Sequence, residues 1–364
     1  MTTLLDRNSD IKLGKAPTIQ DVAVALGLHK STVSLALSGK GTLSAATRKR
    51  IVSVAREMGY EPNPLAQRLA KGNGSPAVCI FSGVLDVGIG TQKILLIQRE
   101  LSKHGLEVPI YTCPDVGDGA ENANTEQLRQ IVRSRPRAIL CAAVRHGDEV
   151  SALLNSYIDS GGIVVSYDMP TPLRCDQVIF DREYNSYSAA RYLLERGHRK
   201  LGLGLTSQID WRPQARAHVQ MDRVKGFQRA IAEFGGETHP AWLFQHGAYE
   251  TGGEQLARRF LELSERPTGM CIVNDHVALA FMVEVMRRGV RIPEDLSVVG
   301  HDNQPIAAYC AVPLTSSVQP SEQIARTVVQ LLLERLGGCD EPPRQVTIAG
   351  SLMERQSVLP LPRE

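Results

Sequence analysis

The chain has 364 residues, enough for two or three domains, and its 41 Lys and Arg nearly balance its 39 Asp and Glu. It contains no run of about 18 apolar residues, which excludes a membrane-spanning helix, and its first 17 residues show no signal-peptide pattern. The seven cysteines form no CxxC pair, so a zinc site and a disulfide framework are disfavoured, no metal is expected and a reducing cytoplasm is favoured.

Charge divides the chain into a basic head and a mildly acidic body. Residues 1–76 hold 11 Lys and Arg against 5 Asp and Glu, whereas the remaining residues hold 30 against 34. A basic head of this kind is the electrostatic footprint of a DNA-binding domain attached to another module. Residues 1–17 are expected to form a flexible lead to this head.

Residues 18–39 predict a helix-turn-helix. Thr18 is a suitable N-cap, and Asp21 completes an acidic form of the capping box. Gly27 breaks the first helix and permits the tight turn that the motif needs. A second helix follows over about residues 30–37. The apolar faces of the two helices are formed by Ile19, Val22, Ala23, Leu26, Val33, Ala36 and Leu37.

The second helix presents four side chains outward, namely Lys30, Ser31, Ser34 and Leu35. In a helix-turn-helix this helix lies in the major groove, and its N-terminal residues contact base edges. A pair of ordinary core helices would show the same local pattern. The next segment argues against that alternative, because Ser44 can cap a third amphipathic helix that Gly59 ends.

A link and a short hinge segment follow the third helix, and the whole N-terminal region resembles the lactose-repressor family of bacterial transcription regulators. The resemblance runs without a gap through the motifs of that family, which here are Thr18-Ile19, Asp21-Val22-Ala23, Thr32-Val33-Ser34, Thr47-Arg48, Gly59-Tyr60, Pro62-Asn63 and the span from Ala66 to Leu69. It implies a DNA-binding domain over residues 18–62, followed by a hinge helix and linker over residues 63–75.

The resemblance also implies a set of contacts to double-stranded DNA. Lys30 and Ser31 begin the recognition helix, where both can hydrogen-bond to bases. Leu35 departs from the arginine that many relatives carry, so it can touch a thymine methyl but cannot hydrogen-bond to guanine. His29 stands where a Ser or Thr cap is more usual. The other candidates in the head are Thr18 and, as phosphate contacts, Thr32, Ser34 and Asn63.

The hinge helix has a favourable start, with Asn63 as its N-cap and Pro64 in its first turn. A helix over residues 65–70 is too short to be stable alone. The resemblance implies that two such helices, one from each subunit of a homodimer, pair over the minor groove of DNA. Ala66 would contact the DNA there, and Leu69 would form a wedge between base pairs. The alternative is that the leucines of this segment form only a small packing stripe.

From about residue 76, strand-like apolar runs alternate with amphipathic helical stretches. This alternation favours an α/β fold in which parallel sheets are covered by helices on both faces. About 285 residues exceed one compact sheet, so two lobes are expected. Ligands bind outside the carboxyl ends of strands in such sheets, which predicts a ligand site in the cleft between the lobes.

The body also resembles the two-lobed, periplasmic-binding-protein-like core of the same family. The resemblance covers residues 76–358 and is strongest in RPTGMCIVND, VALAFMVEVMRRGVRIPEDLSVVGHDN and DREYNSYSAARYLLERGHRKLGLG. It places lobe 1 at residues 76–176 and 306–336, and lobe 2 at residues 177–305 and 337–358.

Six residues are candidate effector contacts. Asp275 ends the strand CIVND and opens a helix, where its side chain can reach the cleft, although helix capping by Asn274 or Asp275 is an alternative. Arg223 matches the pocket arginine of the family, and Asp168 ends another strand, whereas Asp302 is expected to be structural. An Arg and an Asp together suit hydroxyl groups or a carboxylate, so a sugar or related metabolite is expected. The weaker candidates are Tyr249, Phe81 and Ser82.

Catalysis finds little support, because the chain has no GxSxG elbow, no Walker loop and no HExxH motif, and no cofactor is expected. The favoured function is that of a transcription regulator, most simply a repressor, which binds a pseudo-palindromic operator as a homodimer and is switched by a small-molecule effector. Two alternatives are a solute-binding sensor whose head binds another protein, and an enzyme built on the same scaffold. The basic head and hinge motif argue against the first, and the lack of a nucleophile or base in the cleft argues against the second.

Overall fold

The computed structural model describes residues 17–37, 43–60, 77–82, 88–112, 120–141, 148–206, 219–247 and 249–362. The chain divides into two compact units, residues 1–75 and 76–364. Within the described ranges, no helix is long and apolar enough to cross a membrane.

The described part of the first unit contains three helices, α1 (Ile19–Leu26), α2 (Lys30–Leu37) and α3 (Ala45–Glu57). Their apolar faces meet in one small core, as the sequence pattern predicts. The buried members of this core are Val22, Ala23, Val33, Ala36, Ile51 and Ala55.

Local signals at the helix ends are confirmed. The Thr18 backbone N–H donates to the Asp21 carboxylate over 2.7 Å, and the Asp21 N–H donates to Thr18 Oγ1 over 3.3 Å, which completes the capping box. Gly27 takes φ 63°, a left-handed conformation that glycine adopts without a steric penalty. The turn that begins α2 therefore depends on this glycine.

The second unit contains twelve strands and nine further helices in its described parts. In chain order the strands are β1 (Val78–Ser82), β2 (Ile110–Thr112), β3 (Ala138–Cys141), β4 (Val164–Asp168), β5 (Asp176–Phe180), β6 (Leu201–Thr206), β7 (Leu243–His246), β8 (Gly269–Ile272), β9 (Ser297–Asp302), β10 (Thr315–Val318), β11 (Gln345–Ile348) and β12 (Ser351–Met353). The helices are α4 (Ile89–Lys103), α5 (Ala120–Arg133), α6 (Asp148–Asp159), α7 (Arg182–Glu195), α8 (Val219–Phe234), α9 (Tyr249–Leu261), α10 (Asp275–Arg287), α11 (Ile306–Tyr309) and α12 (Ser321–Leu336).

These strands form two six-stranded sheets of the same topology, one in each lobe. The lobe 1 sheet has the order β11-β5-β4-β3-β1-β2 and is parallel throughout. The lobe 2 sheet has the order β12-β10-β9-β8-β6-β7 and is parallel except for β12, which pairs antiparallel with β10. The prediction of two lobes with parallel sheets is confirmed.

Helices cover both faces of each sheet, because alternate residues of every central strand point to opposite sides. In β1, Val78 and Ile80 pack with α4 and α12, whereas Cys79 and Phe81 pack with α5 and α6. In lobe 2, α9 and α10 cover one face and α7 and α8 cover the other. Both lobes are therefore three-layered.

The lobe boundaries differ from those implied by the sequence. Residues 176–180 and 345–348 belong to lobe 1 as β5 and β11, and residues 315–318 belong to lobe 2 as β10. The strand-like pattern shows that these segments pair with neighbours, but it does not show which of two similar sheets accepts them. The chain therefore crosses between the lobes near Asp181, at Gln319-Pro320 and at Ala349-Gly350.

Gly350 lies where these three crossing segments meet. A Cβ atom on Gly350 would lie 2.4 Å from the Val318 carbonyl oxygen and 2.5 Å from Asn185 Nδ2. We predict that Gly350→Ala lowers the free energy of unfolding by roughly 1–3 kcal/mol, because the crossover cannot expand without moving both lobes. Urea unfolding measures the change.

Gly90→Ala is the matched control, because a Cβ atom on Gly90 in α4 would meet nothing within 4 Å. That variant should be more stable than the wild type by about 0.4–1 kcal/mol, since alanine restricts the unfolded chain. If both alanine variants unfold at the wild-type urea concentration, tight packing at the crossover is refuted.

Candidate DNA interface and effector cleft

The exposed face of α2 carries the side chains expected to read DNA. Lys30, Ser31, Ser34 and Leu35 are all exposed there, and Leu35 retains 43% of its surface in solvent. Val33 and Ala36, on the opposite face, are buried in the head core. At this position Leu35 could make an apolar contact to a thymine methyl.

His29 begins α2 through its backbone rather than its side chain. Its carbonyl oxygen accepts from Thr32 N over 2.9 Å and from Val33 N over 3.3 Å. The Nδ1 atom of His29 lies 2.8 Å from Ser31 Oγ, so the ring and this hydroxyl orient one another. Thr32 is half-buried, and the hydroxyl of Thr18 is engaged in the capping box. The remaining predicted DNA contacts, Asn63, Ala66 and Leu69, lie outside the described residues.

A buried ion-pair cluster lies at the carboxyl end of β4 in lobe 1. The ammonium of Lys93, only 1% exposed, donates to Asp168 Oδ1 at the end of β4. Arg182, the first residue of α7, donates to Asp168 Oδ2 over 2.7 Å and also to the Asp168 carbonyl oxygen. Both cations lie near the Phe180 ring, with Lys93 Nζ 5.8 Å and Arg182 Cζ 5.5 Å from its centroid.

These partners determine the charge of Asp168. Burial alone would raise the pKa of its carboxyl, but the attraction of Arg182 and Lys93 outweighs burial and holds that pKa below its ordinary value. Burial lowers the pKa of the Lys93 ammonium, and the Asp168 carboxylate opposes that change. Asp168 also takes φ 81°, an uncommon conformation for a non-glycine residue.

Gln319 joins this cluster to lobe 2. Its Oε1 accepts from Lys93 Nζ over 2.7 Å, and its Nε2 donates to Asp302 Oδ1 over 2.5 Å. The orientation of the amide follows from its partners, because an ammonium can only donate and a carboxylate accepts. A single crossover side chain thus connects a cation of lobe 1 to a carboxylate of lobe 2. This contact agrees with the expected structural role of Asp302.

Arg223 lies in α8 on the lobe 2 side of the same cleft and is only 7% exposed. Burial, and then repulsion by Arg182, lowers the pKa of its guanidinium to about 10, while Asp302 and Asp168 act in the opposite direction. Burial raises the pKa of Asp302, and Arg223 opposes that change. The structure therefore brings Arg223, Asp168 and Asp302 into one electrostatically coupled cluster.

Asp275 is completely buried beside this cluster. Asn274, not Asp275, caps α10, with its side chain accepting from Val277 N. Asp275 Oδ1 accepts from Ser316 Oγ over 2.6 Å, and its Oδ2 accepts from Gln304 N over 2.7 Å. Burial, and then the charge of Asp302, raises the pKa of Asp275 to about 8. In this arrangement it shapes the wall of lobe 2, and direct contact with a ligand would require one of its hydrogen bonds to be exchanged.

The weaker effector candidates are less well placed. Phe81 is fully buried against α5 and α6, so its ring lies in the lobe 1 core rather than at the cleft. Ser82 ends β1 and is 6% exposed. Tyr249 is the first residue of α9, but its side chain lies outside the described part of the structure.

Three members of the cluster were not predicted from the sequence, namely Lys93, Arg182 and Gln319. Lys93 is the only basic residue among the buried positions of α4. A lysine on the apolar face of this helix was the feature of the sequence that could have identified it. Arg182 directly follows the cap residue Asp181. This position in the sequence indicated only an ordinary residue in the first turn of α7. Gln319 is in PLTSSVQP, a segment that the sequence identified only as a return between lobes.

Comparison with known proteins identifies relatives of both units. Residues 18–63 match the model described as "Bacterial regulatory proteins, lacI family", and residues 190–358 match "Periplasmic binding protein-like domain". The chain is 27% identical over 348 residues to the HTH-type transcriptional repressor PurR of Aliivibrio salmonicida (strain LFI1238). That alignment covers 94% of this chain and 98% of the relative.

Solved structures share the fold over nearly the whole chain. A lac repressor dimer bound to operator and the anti-inducer ONPF aligns with a TM-score of 0.78 at 22% identity, covering 95% of this chain and 100% of the other. A transcriptional regulator CelR–cellobiose complex aligns with a TM-score of 0.66 at 23% identity, covering 94% and 99%. At these identities the likeness establishes the shared fold.

The raised pKa of Asp275 makes stability depend on pH. The folded state holds the proton up to about pH 8, whereas an exposed carboxyl releases it near pH 4, so the contribution of this proton is complete below pH 4 and is lost as pH rises toward 8. We predict that Asp275→Asn, whose amide oxygen can accept from Gln304 N while its amide nitrogen donates to Ser316 Oγ, gains roughly 4 kcal/mol of stability relative to the wild type between about pH 5 and about pH 8, at about 1.4 kcal/mol per pH unit.

Urea unfolding of both proteins across this pH range measures the difference. Asp295→Asn is the control, because the pKa of Asp295 is lowered to about 2 by its bonds to Arg291 and it does not titrate in this window. Parallel stability curves for the wild type and Asp275→Asn would show that Asp275 is ionised throughout.

Proposed function

This chain belongs to the lactose-repressor family of bacterial DNA-binding transcription regulators, and we propose that it is a repressor switched by a small molecule bound between its two lobes. The family assignment favours DNA over a protein partner for the basic head. A homodimer would place two copies of α2 in successive major grooves of a pseudo-palindromic operator. We also propose that the protein works in the cytoplasm and has no catalytic turnover.

The observation that best supports the proposed switch is the contact that Gln319 makes with both lobes. One amide binds Lys93 of lobe 1 and Asp302 of lobe 2, so any ligand that competes for either partner alters how the lobes are held. Asp168 and Arg223 flank this contact and are the proposed effector residues, with Asp275 behind them. Effector and operator must then change one another's affinity by the same factor.

On the DNA side, we propose Lys30 and Ser31 as base contacts and Leu35 as a contact to a thymine methyl. Thr18, His29, Thr32, Ser34 and Asn63 are proposed to position the head on the phosphates. Ala66 and Leu69 are proposed to contact the minor groove, where an apolar wedge can unstack one base step.

Selection of bound sequences from a random DNA pool tests the function directly. Purified full-length protein should enrich a pseudo-palindrome, and an effector in a metabolite panel should change the yield. A folded dimer that enriches no sequence at moderate salt would overturn the proposal in favour of a sensor without DNA binding.

The recovered operator then allows the recognition helix to be tested. We predict that Lys30→Ala and Ser31→Ala each weaken operator binding by roughly 1–3 kcal/mol and relax the base preference at one symmetric position. Fluorescence anisotropy at one fixed salt concentration measures this, since phosphate contacts depend on salt.

Val24→Ala is the control on α1, because this side chain is 71% exposed and cannot hydrogen-bond to DNA. If the two substitutions weaken the binding affinity equally for all DNA sequences and leave the base preference unchanged, Lys30 and Ser31 would be reassigned to phosphate contacts.

A further inference from the structure

We propose that lobe 1 itself binds DNA, through three exposed arginines before β3 that contact phosphate groups of the operator. The inference rests on the proposed function, since it adds a second DNA-binding surface to the same regulator. Arg133, Arg135 and Arg137 form this surface, the β3 patch, at the amino end of that strand.

The β3 patch lies on a well-anchored turn between α5 and β3. The N–H of Arg135 donates to the Val132 carbonyl oxygen over 3.1 Å. Pro136 is buried, and its carbonyl oxygen accepts from the Tyr157 hydroxyl over 3.1 Å. The backbone of the turn is therefore held by its neighbours, while the three arginine side chains are exposed to solvent. A surface arranged in advance loses less conformational entropy when it binds.

Charge is distributed unevenly along the edge of the lobe 1 sheet where the strands begin. Before β5, Arg174 pairs with Asp159 over 2.7 Å, and before β11, Arg344 pairs with Glu334 over 2.7 Å. Before β3 the chain supplies no such partner from its own segment, because no Asp or Glu occurs between residues 127 and 147. The body as a whole holds more acidic than basic residues, so the β3 patch is a local concentration of positive charge.

The β3 patch lies beside the point at which the chain enters the core. The N–H of Arg137 donates to the carbonyl oxygen of Ala77, which directly follows the linker, over 2.9 Å. Leu69, the proposed minor-groove wedge, precedes Ala77 by eight residues, and eight residues of any conformation span at most about 29 Å. The chain therefore keeps the β3 patch near the stretch of DNA that the hinge occupies. The intervening stretch, residues 61–76, is itself basic, with two basic residues and one acidic residue.

Phosphate groups of DNA fit this surface. A guanidinium can donate two parallel hydrogen bonds to one phosphate, and contacts of this kind position a protein on DNA without reading the sequence. Because the head and hinge bind the same DNA, the β3 patch meets these phosphates at the high effective concentration of a tethered site. Another polyanion would have to bind without that advantage.

The salt dependence of operator binding tests the β3 patch. The variant combines Arg135→Gln with Arg137→Gln in the full-length protein, and fluorescence anisotropy measures its affinity for the recovered operator from about 50 to about 200 mM salt. Each phosphate contact contributes about 0.9 to the slope of log affinity against log salt concentration, and the dimer would lose two contacts per subunit. We expect the slope to fall by about 3.6 and the affinity at about 50 mM salt to fall at least about tenfold.

Two matched variants accompany this measurement. Lys225→Gln with Arg229→Gln removes the same charge from exposed positions of α8 in lobe 2, and its slope should equal that of the wild type. Arg135→Lys with Arg137→Lys keeps the charge and should keep most of the slope, because an ammonium group also neutralises a phosphate. All the substituted side chains are exposed, so each variant should unfold at the wild-type urea concentration.

Equal slopes for the glutamine variant of the β3 patch and the lobe 2 variant would overturn the inference. Weaker binding with an unchanged slope would also overturn it, since the arginines would then act within the protein and not on phosphates. So would an equal loss of slope in the lysine and glutamine variants of the patch. Enrichment of an operator by the wild-type protein does not depend on these results, so failure of this inference and failure of the proposed function are separate outcomes.

Discussion

The proposed switch depends on the buried path from Lys93 through Gln319 to Asp302, which joins the two lobes. Each lobe closes its own hydrophobic layers, but the strand ends that face the cleft carry charged residues. Those charges are held by one another, including the pair of Arg182 with Asp168, and by the crossover amide of Gln319. Polar contacts that a polar ligand can exchange therefore join the two lobes.

Such a cluster is a poor way to gain stability. Desolvation of several charges costs about as much as their attraction returns, and apolar residues of similar volume often serve as well. Asp168 and Asp302 also take uncommon backbone conformations at the strand ends, where strain of this kind accompanies function. We propose that the cluster serves the switch rather than stability, because a ligand that favours one arrangement of the lobes can act through its polar contacts.

Sequence reasoning succeeded where the signal was local. Thr18 with Asp21 predicted a helix start, and Gly27 predicted a turn, because each effect operates within one turn of helix. It failed where partners are distant in the chain. Lys93 meets Asp168 75 positions away and Gln319 226 positions away, and nothing in the pattern of α4 indicates either partner. The sheet that accepts β5, β10 or β11 is likewise decided by long-range packing.

We propose that the lobe-bridging amide in the core controls DNA binding by the head. The most direct measurement is the operator affinity of Gln319→Leu without effector, compared with the wild type and with Gln323→Leu, an exposed control in α12. The account predicts a change of about tenfold or more for Gln319→Leu, about 1.4 kcal/mol, and none for the control. Equal affinity for a folded, dimeric Gln319→Leu would contradict the claim.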